Sequence, residues 1–255
     1  MLEFTFLLAI LIEWVLPFVL AFLIARRYRA AWGLFWVGAL AFAASQIVHI
    51  PLNLGISALF RNGLIPAPAP EAAIAVNAVL AGTTAALCET PARLIALRLL
   101  KERGRDWGSA LMVGVGHGGI ESILFVGLPV LMNFIILLLA REQGAAAFGL
   151  QDAQVQQYWS APWHLPLAGA VERITTIVLH VLLTSLVWLA VRTRNYLWFG
   201  TALLWHALID SMAVLLASME VSIWTIEGVL AGIMVINLVG LFLLQRRYGA
   251  LPAEA

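Results

Sequence analysis

Seven apolar runs, each long enough to cross the hydrocarbon of a bilayer, limit this chain more than any other feature of its sequence. They cover about Leu2–Ala25, Ala31–Phe60, Glu71–Leu100, Trp107–Ala140, Pro162–Val191, Tyr196–Ala217 and Val221–Leu244. In lipid a segment must satisfy its own backbone polar groups, so such runs fold as helices. Composition agrees. The chain is 62% hydrophobic and 11% charged, against about 45–50% and about 25% in soluble domains. The predicted fold is all-α: a polytopic membrane bundle of about seven helices, one transmembrane domain over residues 1–255, in the cell membrane.

The basic residues orient the spans. Arg26, Arg27, Arg29, Lys101, Arg103, Arg105, Arg192, Arg194, Arg246 and Arg247 follow spans one, three, five and seven, while the opposite ends hold only Arg61 and Arg141. Excess Lys and Arg mark the cytoplasmic side, so the N-terminus is expected outside and the C-terminus inside, with a short turn near Glu220 between the last two spans. The first run lacks a basic region before it and is too long for a signal peptide, so it reads as a retained span. Pro51 and Pro91 predict bends, and Ile65 to Pro70 reads as a stiff connection of polyproline character. Arg141 to Trp159 reads as a Gln-rich loop with an interfacial segment. A net charge of +1 leaves no nucleic-acid footprint. The single cysteine, Cys88, excludes an internal disulfide and a Cys-rich metal site. No internal repeat or long linker is visible.

Against this apolar background the ionisable residues fall into stripes. Span three carries Glu89 and Arg93, span four His117 and Glu121, span five Glu172, Arg173, Thr176 and His180, and span six His206 and Asp210. Spacing by fours puts each set on one helix face. Glu89, His117, His180 and His206 each lie twelve residues from a basic anchor: Lys101, Arg105, Arg192 and Arg194 respectively. At a rise of about 1.5 Å per residue that depth is about 18 Å. Glu121, Thr176 and Asp210 lie one turn further, at roughly 24 Å. Ionisable groups inside a membrane are expensive and mark functional sites, and four helices placing them in one layer predicts a shared pocket. The predicted catalytic core is 71–217. Glycines around His117, in Gly114-Val-Gly-His-Gly-Gly-Ile-Glu-Ser122, allow close approach by another backbone or a substrate.

Other polar residues read as structural. Glu172 with Arg173 is a local ion pair, His49 and Asn53 flank the Pro51 kink, and Glu227 and Asn237 are helix contacts. Cys88 reads as a small buried hydrophobe, and the tryptophans as an interfacial belt.

A buried layer of imidazoles and carboxylates suits two tasks. One is hydrolysis, with a base activating water and imidazoles stabilising an oxyanion. The other is proton transfer along a relay. A zinc variant of the first would use His117, His180, His206 and a carboxylate. His-Glu-x-x-His and Gly-x-Ser-x-Gly are both absent.

The order Glu-x-x-x-Arg, Gly-x-Gly-His-Gly-Gly-Ile-Glu, Glu-Arg with a histidine seven residues on, and His-Ala-Leu-Ile-Asp resembles the YhfC family over about Leu87 to Met212. That family is related to the CAAX-protease and bacteriocin-processing group and the PrsW-like proteins, regarded as glutamic intramembrane proteases. The wider group usually has two adjacent glutamates before the arginine; here Cys88 and Thr90 flank Glu89. The resemblance implies an intramembrane endopeptidase acting on a membrane-embedded or membrane-proximal peptide. Glu89 or Glu121 would deprotonate water. His117, His180 and His206 would bind the oxyanion or protonate the leaving amine. Asp210 would orient His206, and Arg93 would pair with Glu89. No cofactor is expected on this reading, zinc being the alternative. A proton-coupled transporter is the rival function; it needs a polar path to both faces, and transporter folds often show internal repeats.

Overall fold

The computed structural model describes residues 1–104, 106–219 and 221–250, which leaves Arg105 and Glu220 of the sequence analysis outside the described residues. The described chain is helical throughout: α1 (Leu2–Tyr28), α2 (Gly33–Arg61), α3 (Pro70–Leu99), α4 (Trp107–Glu121), α5 (Leu128–Gln143), α6 (Asp152–Trp159), α7 (Pro166–Thr193), α8 (Leu197–Ala217) and α9 (Ile223–Tyr248). Seven stretches are long and apolar enough to cross a membrane, as the sequence predicts, with α4 and α5 forming one of them over Trp107–Gln143. α2 and α3 run unbroken through Pro51 and Pro91.

The fourth span departs from a simple helix. Between α4 and α5, Ser122–Gly127 winds as a π-helix. Such wider turns concentrate at functional sites, and here the wide turn follows Glu121 directly. Ser122 Oγ also donates to the Glu13 carbonyl of α1 at 3.1 Å. The loop expected after Arg141 is more ordered than predicted. α5 continues to Gln143, and α6 starts with a reciprocal cap between Gln151 and Gln154.

α7 is the central rod. Of its apolar window 78% is buried, against 17–39% for the other spans; α1, α3, α4, α8 and α9 pack against it, and α2 packs on α4 and α3. A helix hydrophobic all round belongs in the middle. Met112 and Val113 of α4, Phe35 of α2 and Leu183, Trp188 and Leu189 of α7 are among the largest fully buried side chains of the core. Trp188 fixes the depth of α7 by donating to the Gly104 carbonyl at 2.9 Å. Asp106 starts α4 by accepting from the Ser109 amide at 2.7 Å. The ends close over short contacts. Gln245 meets Tyr28 at the arginine-rich end, and Glu3 meets Arg141 at the other.

The glycines of α4 decide how closely it packs. A Cβ on Gly116 would overlap the Phe35 carbonyl oxygen of α2, and one on Gly38 would overlap that of Val113. One on Gly118 would come within 2.9 Å of His180 Cβ of α7. Small residues let membrane helices approach backbone to backbone. Here they press α4 against both the helix that carries His180 and the helix that borders the cavity described next.

Candidate active site

α3 brings Glu89 and Arg93 into the middle of the bundle, one turn apart. Arg93 Nη2 reaches Glu89 Oε2 at 3.2 Å and His180 Nδ1 of α7 at 2.5 Å. The guanidinium is fully enclosed, so one cation ties two helices together at mid-bundle. Glu89 Oε2 also lies 3.1 Å from His117 Nε2 of α4 and 3.7 Å from His206 Nε2 of α8. Asp210 Oδ2 stands 3.2 Å from that same His206 nitrogen. The ring centroids of His117 and His180 are 5.3 Å apart, and those of His180 and His206 5.7 Å.

Glu121 behaves differently from its sequence pairing. It shares a face with His117, yet His117 turns to Glu89 while Glu121 Oε2 lies 2.6 Å from His180 Nε2. Glu121 Oε1 accepts from Arg173 Nη1 at 3.1 Å, and Arg173 Nη2 donates to Glu172 at 2.5 Å. Arg173 therefore bridges the Glu172 carboxylate to Glu121, rather than forming a separate structural pair with its neighbour. All seven residues singled out in the sequence, Glu89, Arg93, His117, Glu121, His180, His206 and Asp210, are brought into one connected cluster.

α2 adds residues that the sequence reading placed among kink contacts or passed over. Asn53 Nδ2 donates to His49 Nε2 at 2.9 Å, which leaves the His49 proton on Nδ1. Nδ1 then donates to Gln46 Oε1 at 3.2 Å, and Gln46 Nε2 reaches Glu89 Oε1 at 3.4 Å. These side chains, with Ser57, line a cavity of about 460 Å³ whose inner wall is Glu89, Glu121 and Asp210. The signal was legible as polar residues at spacings of three, four and four in an apolar run. It extends the site beyond 71–217. Glu13 of α1 was passed over as well. It is 1% exposed and neither carboxylate oxygen has a hydrogen-bond partner among the described residues.

The description "YhfC intramembrane metalloprotease" belongs to the family model that matches residues 12–230. This chain belongs to that family. A YhfC relative in Bacillus subtilis (strain 168), described as an uncharacterized membrane protein, is 27% identical over 213 residues, covering 80% of this chain and 81% of the relative. No solved structure gives a significant match.

The YhfC description implies a metal, so the expectation of a centre without a cofactor finds no support in it. The residues present fit a cation on three counts. Glu89, His180 and His206 each offer a donor atom, and these atoms lie within 4.8 Å of one another. Tetrahedral zinc with ligands at about 2.0–2.1 Å separates them by roughly 3.4 Å; Glu89 Oε2 and His206 Nε2 are already 3.7 Å apart. His206 Nε2 is buried with the Asp210 carboxylate at 3.2 Å and that of Glu89 at 3.7 Å, an anionic setting that suits a ligated nitrogen. Charge points the same way. Four carboxylates, Glu89, Glu121, Asp210 and Glu172, stand against two guanidiniums, Arg93 and Arg173, and a divalent cation would add positive charge beside the most buried of them, Glu89 and Glu121. His117, expected in the zinc set, is not one of the three donors; its Nε2 faces Glu89 and its Nδ1 has no partner among the described residues.

Proposed function

We propose that this chain is an intramembrane endopeptidase that hydrolyses a peptide bond of a membrane-embedded or membrane-proximal substrate at the Glu89–His180–His206 centre. Its single transmembrane domain would sit in the cell membrane with the arginine-rich end in the cytoplasm. The observation that carries the reading is the convergence of those three donors from three helices, with Glu89 also lining a cavity among apolar helices.

Glu89, His180 and His206 would hold the metal. Zinc bound there would supply Lewis acidity to a scissile carbonyl and lower the pKa of water. Glu121 lines the cavity and is fixed by Arg173, so it accepts the proton of the attacking water. The water oxygen bonds to the carbonyl carbon, the C–N bond breaks, and Glu121 passes its proton to the departing amine. Asp210 would stand beside the His206 nitrogen that holds the metal, Thr90 faces the other ring nitrogen at 3.4 Å, and Arg93 fixes Glu89 and His180 with one guanidinium. His117 donates from Nε2 to Glu89 Oε2 and holds it from the side opposite Gln46.

Purified protein in proteoliposomes should cleave single-span peptides from an unbiased membrane-peptide pool and carry about one zinc per chain, as expected of one such site. Glu121→Gln should abolish cleavage while keeping zinc; His206→Ala should lose both. Cleavage that survives Glu89→Gln, Glu121→Gln and His206→Ala alike would overturn the assignment. Full activity in metal-free protein would return the chemistry to Glu89 or Glu121 and the histidines alone.

A further inference from the structure

Apart from the contact of Gln46 with Glu89, the cavity wall formed by α2 has no part in the chemistry above, yet it is the most polar surface on that helix. Gln46, His49, Asn53 and Ser57 form one row facing the cavity. The residues between them are apolar; Ile50 and Leu54 also line the cavity, while Ile47 and Val48 face outward, 76% and 61% exposed. Four hydrogen-bonding side chains at membrane depth are unfavourable unless something uses them. Three of them satisfy one another in the chain that ends on Glu89 Oε1. That chain leaves Asn53 Oδ1, and Ser57 as a whole, without a hydrogen-bond partner among the described residues.

The row also has a length. From Gln46 to Ser57 is eleven residues, or about 16 Å along a helix. An extended chain advances about 3.3 Å per residue, so the row matches roughly five residues of strand. A peptide bond inside a transmembrane helix has its carbonyl committed to the helix and shielded by side chains. It reaches a catalytic group only if the segment unwinds, and each exposed amide then lacks a partner, at several kcal/mol in hydrocarbon. Asn53 Oδ1 and the Ser57 hydroxyl supply a free acceptor and a free donor to such a backbone, and Gln46 and His49 would exchange their mutual hydrogen bonds for it.

We propose that Gln46, His49, Asn53 and Ser57 bind about five residues of substrate as an extended strand alongside α2, leading from the Ser57 end of the cavity to the bond cut at Glu89. This rests on the hydrolase reading. It restricts substrates to single-span segments that unwind easily on the Ser57 side of the cut, whatever side chains they carry. Ile50 and Leu54, which also line the cavity, would contact the strand's side chains without demanding a sequence.

The test uses the full-length protein in phosphatidylcholine liposomes with two synthetic span peptides: an all-Leu/Ala host, and the same host carrying a central Gly-Pro segment of five residues. Both carry a photoreactive leucine beside that segment. In Glu89→Gln protein the broken peptide should cross-link to residues 46–57, and the intact host should not. In native protein Asn53→Leu and Ser57→Ala should each raise KM about two- to tenfold at unchanged kcat, one hydrogen bond's worth of uniform binding. Ser57 is exposed, so its variant tests the proposal even where Asn53→Leu perturbs folding. Cross-links elsewhere, no cross-links, equal capture of both peptides, or a fall in kcat at constant KM would overturn it; the last would mean that the row only props Glu89. Cross-linking to α2 without any hydrolysis would sink the protease reading and leave the strand site standing. Hydrolysis with cross-links elsewhere would do the reverse.

Discussion

Gly116→Ala is the sharpest test of the packing that builds the site. The new Cβ would overlap the Phe35 carbonyl oxygen and lie 2.7 Å from Phe35 C, where ordinary contact begins at 3.4 Å. The carbon alone requires α2 and α4 to part by 3.4 − 2.7 = 0.7 Å, and the oxygen requires about twice as much, so the separation exceeds the roughly 1 Å at which misplacement costs about a hundredfold in rate. Both obstacles are backbone, so no side-chain rotation relieves them. Overpacking of this kind costs about 1–3 kcal/mol, which lowers the unfolding midpoint by about 2–12 °C for a chain of this size. The separation also carries Gln46 away from Glu89, a contact already long at 3.4 Å. Gly228→Ala is the matched control: it sits in α9 with nothing within 4 Å of its Cβ. It should gain up to about 1 kcal/mol, the difference in helix propensity. The assay is thermal unfolding in detergent followed by circular dichroism. If Gly116→Ala melts with the native protein, or Gly228→Ala falls by the same amount, close approach at α2–α4 does not stabilise this bundle.

Three further outcomes follow from the same contacts. Arg173→Met leaves Glu121 and Glu172 buried or half-buried without their cation; breaking such a pair costs about 3–5 kcal/mol, and adding Glu121→Gln should recover part of the loss in a double-mutant cycle. Asp210→Asn keeps the shape but removes the negative charge beside the His206 nitrogen that would hold the metal, so zinc affinity measured by competition with a chelator should fall about 10–100-fold; no change would remove Asp210 from the site. Tyr158 on α6 stacks on Phe6 at 4.8 Å, and its hydroxyl is buried without a partner among the described residues. Burial pushes its pKa up to about 12 from an unfolded value of about 10. Its contribution is therefore complete below about pH 10 and lost as pH rises towards about 12. Tyr158→Phe should flatten the alkaline loss of stability in that window, and an unchanged alkaline profile would remove Tyr158 as its source.

The sequence by itself determined the fold class, the seven spans and the common depth of Glu89, His117, His180 and His206. Each follows from periodicity and run length, which are local: lipid forces helices, and counting residues from a basic anchor gives depth. It also marked all seven residues that later met. What depth could not give was azimuth. His117 and Glu121 share a helix face, but which neighbour each one meets depends on how α3 and α7 are rotated, and that is fixed by glycine contacts between helices far apart in sequence. Only the packed bundle paired His117 with Glu89, gave Glu121 to His180 and Arg173, and left His117 outside the three-donor set. The row on α2 was missed for a related reason. An amide or imidazole on an isolated helix reads as a kink contact, and becomes a cavity wall only once another helix leaves space opposite it.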